Sequence, residues 1–124
     1  MTAARTWEIR LPWTAPPLTL NGREHWRAKA EKVASVRAAV HLAAGPGHRI
    51  PAMERVEVTL TYYPRDKRRR DADNLVATLK ACCDGIVDAG VVADDTPDLM
   101  VKHMPVVAPP DGDPRLVLTI RELL

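Results

Sequence analysis

A chain of 124 residues is long enough for one compact domain with a single core, and its 46% apolar and 27% charged residues exclude wholesale disorder. The formal net charge of +2 conceals an uneven distribution: Arg65, Lys67, Arg68, Arg69 and Arg70 crowd one segment, and Asp94, Asp95 and Asp98 another. The two cysteines, Cys82 and Cys83, are neighbours, which excludes an easy disulfide and a C-x-x-C zinc ribbon, and the four histidines lack metal-site spacing. Reduced thiols, an opening Met1–Arg10 without an apolar run, and no stretch of transmembrane length predict a soluble, cytoplasmic protein with no membrane partner.

Trp7, Ile9 and Leu11 alternate with polar residues and predict a first strand. Pro12, Pro16 and Pro17 impose an extended connection, which Leu18–Leu20 can continue as strand, and Asn21 is a candidate helix N-cap. From Arg23 to about Ala44, Trp26, Ala30, Val33, Val36 and Val40 recur at helical spacing, with Glu24, Arg27 and Lys32 opposite; this predicts a long amphipathic helix packed on something flat, with Trp26 in its core face rather than serving as a base-stacking platform. Gly45-Pro46-Gly47 ends it. Val56, Val58, Leu60 and Tyr62 alternate with Glu57, Thr59 and Thr61, the clearest strand signal, from about Arg55 to Tyr63 and closed by Pro64.

The basic segment is expected as a loop, followed by a helix from Asp73 or Asn74 to Asp88 with Gly90 as its stop. On a helical wheel Leu75, Leu79, Cys82, Cys83 and Ile86 share one side, with the cysteines as core filling, and Asp73, Ala77, Lys80 and Asp84 share the other. A short apolar step Val91-Val92, an acidic turn at Asp94-Asp95-Thr96-Pro97, a strand over Leu99–Val107, a proline-rich hairpin connection at 109–114 and a last strand carrying Leu116, Leu118 and Ile120 complete the chain. The order predicts an α/β (α+β) fold: a single domain over 1–124, with one mixed sheet of about four strands covered by two helices.

Asp71 and Asp73 at a helix start, with Asp94 and Asp95 from the next loop, form the kind of oxygen-rich set that Mg²⁺ takes, and Lys80 on the same face suits charge neutralisation at a phosphate. The arginines directly before Asp71 suit a polyanion whose phosphates they hold near the metal. Plainer roles exist for each piece: Asp71 or Asp73 as helix cap, Lys80 and Asp84 as a solvated i,i+4 pair, Asp94–Pro97 as an ordinary turn, and the basic run as a solvated loop.

The segment Arg68-Arg69-Arg70-Asp71-Ala72-Asp73-Asn74-Leu75, then Lys80, Asp84, Ala89-Gly90-Val91-Val92 and Asp94-Asp95, resembles the RusA-like Holliday-junction resolvases of phages and prophages. Pro17-Leu18-Thr19-Leu20-Asn21 before a basic helix, Val101-Lys102-His103-Met104-Pro105, and Arg115–Ile120 extend the resemblance over nearly the whole chain. It implies a homodimeric crossover junction endodeoxyribonuclease that makes paired, Mg²⁺-dependent nicks in four-way junctions, with Mn²⁺ as an expected substitute and no organic cofactor. It implies catalytic Asp71, Asp73, Asp95 and Lys80, metal-binding Asp71, Asp73, Asp94 and Asp95, and supporting Asn74 and Asp84. The Asp73–Lys80 interval is about one helical turn longer than in the best-known members, and the wheel keeps Lys80 on the acidic face. Arg65, Lys67, Arg68, Arg69 and Arg70, with Arg27 and Lys32 of the first helix, are the expected DNA contacts. The competing expectation is a noncatalytic branched-DNA-binding protein, a degenerate resolvase that has no need of the acids.

Overall fold

The structure, a computed structural model, describes residues 4–18, 25–45 and 49–124. Strands β1 (Thr6–Arg10), β2 (Val56–Tyr63), β3 (Met100–Lys102), β4 (Val106–Val107) and β5 (Arg115–Glu122) form one mixed sheet, and helices α1 (Trp26–Ala44) and α2 (Val76–Asp88) complete an α+β fold. The expected Asn21 cap, Leu20, Arg23, Glu24, Pro46 and Gly47 lie outside the described residues; in place of that cap, His25 Nδ1 accepts the Arg27 N–H at 3.2 Å.

The sheet order is β1-β5-β2-β3, with β4 also on β2, so five strands occupy four columns. β5 runs antiparallel to both β1 and β2, and β3 and β4 run parallel to β2. The single strand expected over Leu99–Val107 is broken. Val58 pairs with Lys102 and Thr61 with Val106, three steps on β2 against four on its partner, so one extra residue is inserted where Pro105 has no N–H to donate. The proline-rich segment 108–114 is not a hairpin either: β4 and β5 flank β2 on opposite sides, and the segment passes the end of β2 to join them.

Alternation decides the faces. Val58 pairs with Ile120, Leu60 with Leu118 and Tyr62 with Leu116, all buried, and Ile9 on β1 sits against Leu118. These side chains meet the helices and hold the core. The other face carries Glu57, Thr59, Thr61 and Tyr63 of β2 beside Arg121, Thr119, Val117 and Arg115 of β5. It is half-exposed and laced with polar contacts: His103 Nε2 lies 2.9 Å from Glu57, Arg121 donates to Glu57 at 3.1 Å, and the Arg115 guanidinium stacks 3.8 Å over Tyr63.

α2 buries Leu79, Cys82, Cys83 and Ile86 as the wheel predicts, Leu75 is buried just before its start, and its end is a Schellman turn. Gly90, at φ 77°, donates to Val87 O, and Val91 N–H returns to Ile86 O, with Val91 and Ile86 both buried. The expected flat support for α1 is instead α2. Where the helices cross, a Cβ on Gly85 would stand 2.8 Å from both Arg37 O and Val40 Cβ, so only glycine admits this approach. Arg37 also forms a two-pronged ion pair with Asp88. Only Val36, Val40 and Ala44 of α1 are buried. Trp26, expected in the core, is 68% exposed. The apolar stripe does continue to Trp26, but α1 has 19 residues against 13 in α2, and its first two turns bury no side chain fully.

Candidate functional site

The chain leaves β2 through Pro64 and returns to the helical layer by the loop 65–70 and a 3₁₀ turn at Ala72–Leu75 that leads into α2. This places the start of α2 near the carboxyl end of β2, beside β4, where ligands collect in sheets with parallel crossovers. A cleft of about 390 Å³ opens there, lined by Tyr62, Arg69, Arg70, Asp71, Asn74 and Val107 among others.

The two acids at this helix start are not caps. Asp71 is the N-cap residue of the 3₁₀ turn, but its side chain makes no capping bond; its backbone carbonyl accepts the Asn74 N–H at 3.1 Å. Asp71 and Asp73 are both exposed, and among the described residues neither carboxylate has a hydrogen-bond or ion-pair partner. Two like charges this close in sequence gain from the helix dipole but repel each other, and a cation relieves that repulsion.

The basic loop is organised by a residue outside the expected contact set. Asp66 receives Arg70 Nη2 at 2.8 Å, Arg68 Nη2 at 3.0 Å and the Arg68 N–H at 3.1 Å, with Arg65 3.5 Å away. Arg70 also donates to the carbonyls of Asp66 and Arg68 and lies over the Tyr62 ring at 5.7 Å. The Arg68 N–H and the Arg70 guanidinium hold the Asp66 carboxyl down at about 2. Three of the five basic residues are thereby tied to one carboxylate, while Lys67 and Arg69 are exposed with no ion pair among the described residues.

A second charged group sits further along α2. Lys102, on the helix-facing side of β3, donates to Asp95 at 3.0 Å, and both side chains are about two-thirds covered. That hydrogen bond, with positive charge from Lys102 and Lys80, lowers the Asp95 carboxyl. Partial burial pushes the Lys102 ammonium down, but Asp95 and the negative side of Cys83 and Asp84 outweigh it and leave it raised. Asp94 Oδ1 accepts the Asp95 N–H at 2.8 Å, so the acidic turn is locally closed. Lys80 and Asp84 occupy the uncovered side of α2 as the wheel predicts, without forming an ion pair with each other. Burial pushes the Cys83 thiol up to about 12 and the Cys82 thiol higher, so both act as core side chains.

The expected acids therefore fall into two groups. Asp71 and Asp73 stand at the helix start without side-chain partners among the described residues, and Asp95, bonded to Asp94 through its N–H, is engaged by Lys102. Among the described residues no three Asp, Glu, His or Cys side chains converge to hold an ion. The free oxygen donors of Asp71 and Asp73 fit a hard cation that keeps most of its water, as Mg²⁺ does with one or two carboxylates. Lys102, like Asp66, is a charged residue to which sequence reasoning gave no site role. Its signal was the alternation of Met100 and Lys102, which places both under α2. Arg27 lies 5.2 Å over the Trp26 ring at the tip of α1, and Lys32 lies on the same helix.

No family model matches this chain. It is similar to an uncharacterized protein of Xylella fastidiosa (strain Temecula1), 31% identical over 85 residues, which cover 65% of this chain and 56% of that protein. The chain thus spans a little over half the length of the curated relative it matches. Among the described residues no helix is long and apolar enough to cross a membrane.

Proposed function

We propose that the protein is a Mg²⁺-dependent, structure-specific endodeoxyribonuclease that hydrolyses phosphodiesters in branched DNA, four-way junctions included, as the RusA-like resolvases it resembles do. The observation that carries this reading is the pair of unpartnered carboxylates, Asp71 and Asp73, beside a cleft whose wall bears Arg69 and Arg70. Such a juxtaposition suits a cation and a phosphate together and suits neither alone.

Asp71 and Asp73 would hold the ion, which when bound supplies charge neutralisation at the phosphate and activation of water. Arg69 grips a neighbouring phosphate. Arg70, pinned by Asp66 and Tyr62, offers a fixed guanidinium that costs little to organise on binding. Lys80, about two turns along α2 from Asp73, neutralises charge that develops on the phosphate. Asp95, with Asp94 beside it, joins the site by releasing Lys102, and Asn74, on the wall of the cleft, and Asp84 support the acids. Arg65, Lys67 and Arg68, with Arg27 and Lys32 of α1, extend the grip along the backbone. A homodimer sets two such sites on symmetry-related strands, in the cytoplasm of a bacterium or phage-infected host.

The separation of the acids into two groups favours a second reading, a noncatalytic branched-DNA-binding protein. A labelled four-way junction, incubated with and without Mg²⁺ beside linear duplex and the Asp73→Asn variant, separates the two. Paired, Mg²⁺-dependent nicks in the junction that vanish in Asp73→Asn, with binding retained, are expected. Tight junction binding without nicks in Mg²⁺ or Mn²⁺ would establish the binding module instead.

A further inference from the structure

The tip of α1 is an exposed patch of which the proposed function uses only Arg27 and Lys32, as backbone contacts, and leaves Trp26 without a role. Its first two turns, residues 26–32, contribute no buried side chain, so they project past the end of the helix–helix contact. At the tip Trp26 is 68% exposed, the largest side chain that the described surface leaves so open. The Arg27 guanidinium lies 5.2 Å from its ring centroid and the His25 ring 5.6 Å away at 31°, so the indole sits in a cationic and aromatic setting. Arg27, Lys29 and Lys32 face a single acid, Glu31, over these turns, and none of the first-turn residues is acidic. That arrangement opposes the helix dipole, and no packing within the described chain offsets it.

An exposed indole costs free energy, and it is satisfied by something flat and apolar. The surrounding lysine and arginine side chains require that the same partner be anionic. A second copy of this chain would meet the tip with the same positive charge, whereas a nucleic acid strand offers π-faces and phosphates at once. We infer that Trp26 is a stacking platform for an unpaired nucleobase of single-stranded or branched DNA, with Arg27 and Lys29 on the flanking phosphates. The inference rests on the reading of the protein as DNA-binding, and it adds a base contact about which the acid groups say nothing.

The test reads tryptophan emission and affinity without Mg²⁺ and without cleavage, so a failure to cut junctions leaves it unaffected. The full chain is titrated with a short oligo(dT), with an abasic strand of equal length and charge, and with the four-way junction. Wild type, Trp26→Leu and Trp26→Tyr are compared, after confirming equal melting temperatures. Quenching by oligo(dT) but not by the abasic strand is expected. Trp26→Leu should bind oligo(dT) on the order of tenfold more weakly, and Trp26→Tyr should retain most of the affinity. Equal quenching by the abasic strand, or an unchanged affinity in Trp26→Leu, overturns the platform. A Trp26→Leu variant that changes sedimentation mass while keeping its oligo(dT) affinity makes the patch a protein interface and also overturns it. Junction binding by wild type without oligo(dT) binding sinks this inference alone; absence of binding to any of the three DNAs sinks the DNA reading as well.

Discussion

Asp66 shows how one side chain can redefine a segment. The run 65–70 carries five cations, yet three of them converge on this carboxylate, and the loop becomes a folded cradle. Its carboxyl is depressed from an ordinary 3.8 to about 2, so the contribution to loop order is fully present above 3.8 and is lost as the pH falls through about 2. A carboxyl-carbon shift titration of Asp66 should therefore show a midpoint near 2; a midpoint near 3.8 would mean that the cradle does not form in solution. Lys102 makes a comparable commitment to Asp95. Asp95 is lowered and Lys102 raised, so the pair is intact through the neutral range, lost in acid with the carboxylate and in strong base with the ammonium. If Asp95 joins the ion by releasing Lys102, then Lys102→Met should lower the Mg²⁺ concentration needed for half-maximal cleavage severalfold. An unchanged requirement, measured by Mg²⁺ titration of junction cutting, would place Asp95 outside the ion's reach.

Among the elements, the α1–α2 contact depends on Gly85. Alanine there would gain about 1 kcal/mol of helix propensity. It would also drive a methyl group into the Arg37 carbonyl and Val40, an overpacking that costs about 1–3 kcal/mol. Gly85→Ala should thus be destabilised by up to about 2 kcal/mol, seen as a lower urea midpoint with an unchanged slope. Periodicity made β2, β5 and most of the buried side of α2 legible, because alternation and helical spacing act within one segment. It misjudged Trp26 because burial depends on how far the partner extends, and the length of α2 is no property of α1. It joined β3 to β4 because Val101, Val106 and Val107 read as strand, while the inserted residue shows only in the register with β2. The candidate acids were legible as residues. Their division between two groups was not, since it turns on Lys102 reaching Asp95 from a strand that is remote from the acidic motif.

Over the whole molecule, the sheet segregates function by face. One face is closed by the helices, with the candidate acids in the segments that enter and leave α2, and the other is an open, ion-paired surface centred on Glu57. A net charge of +2 is too small to attract DNA by itself, so the proposed DNA binding requires local cations such as Lys67 and Arg69. Each of Lys67→Ala and Arg69→Ala should reduce the salt dependence of junction binding by about one unit of slope in log K against log salt. Arg70→Ala should cost more than one phosphate contact, since it also removes the anchor of the Asp66 cradle. Slopes unchanged from wild type in all three variants would mean that the basic loop lies away from the DNA.

The inserted residue and Pro105 between β3 and β4 have a consequence for how these molecules coexist at high concentration. That side of the sheet would otherwise offer a straight row of unpaired backbone groups, a template on which another chain could add as a further strand. The kink breaks the row into pieces of three and two residues, and Lys102 puts a charge on the first of them. Such an edge is a poor template for flat, continuous strand stacking, and the one-residue irregularity that sequence periodicity overlooked leaves β1, on the opposite side, as the longer open edge of the sheet.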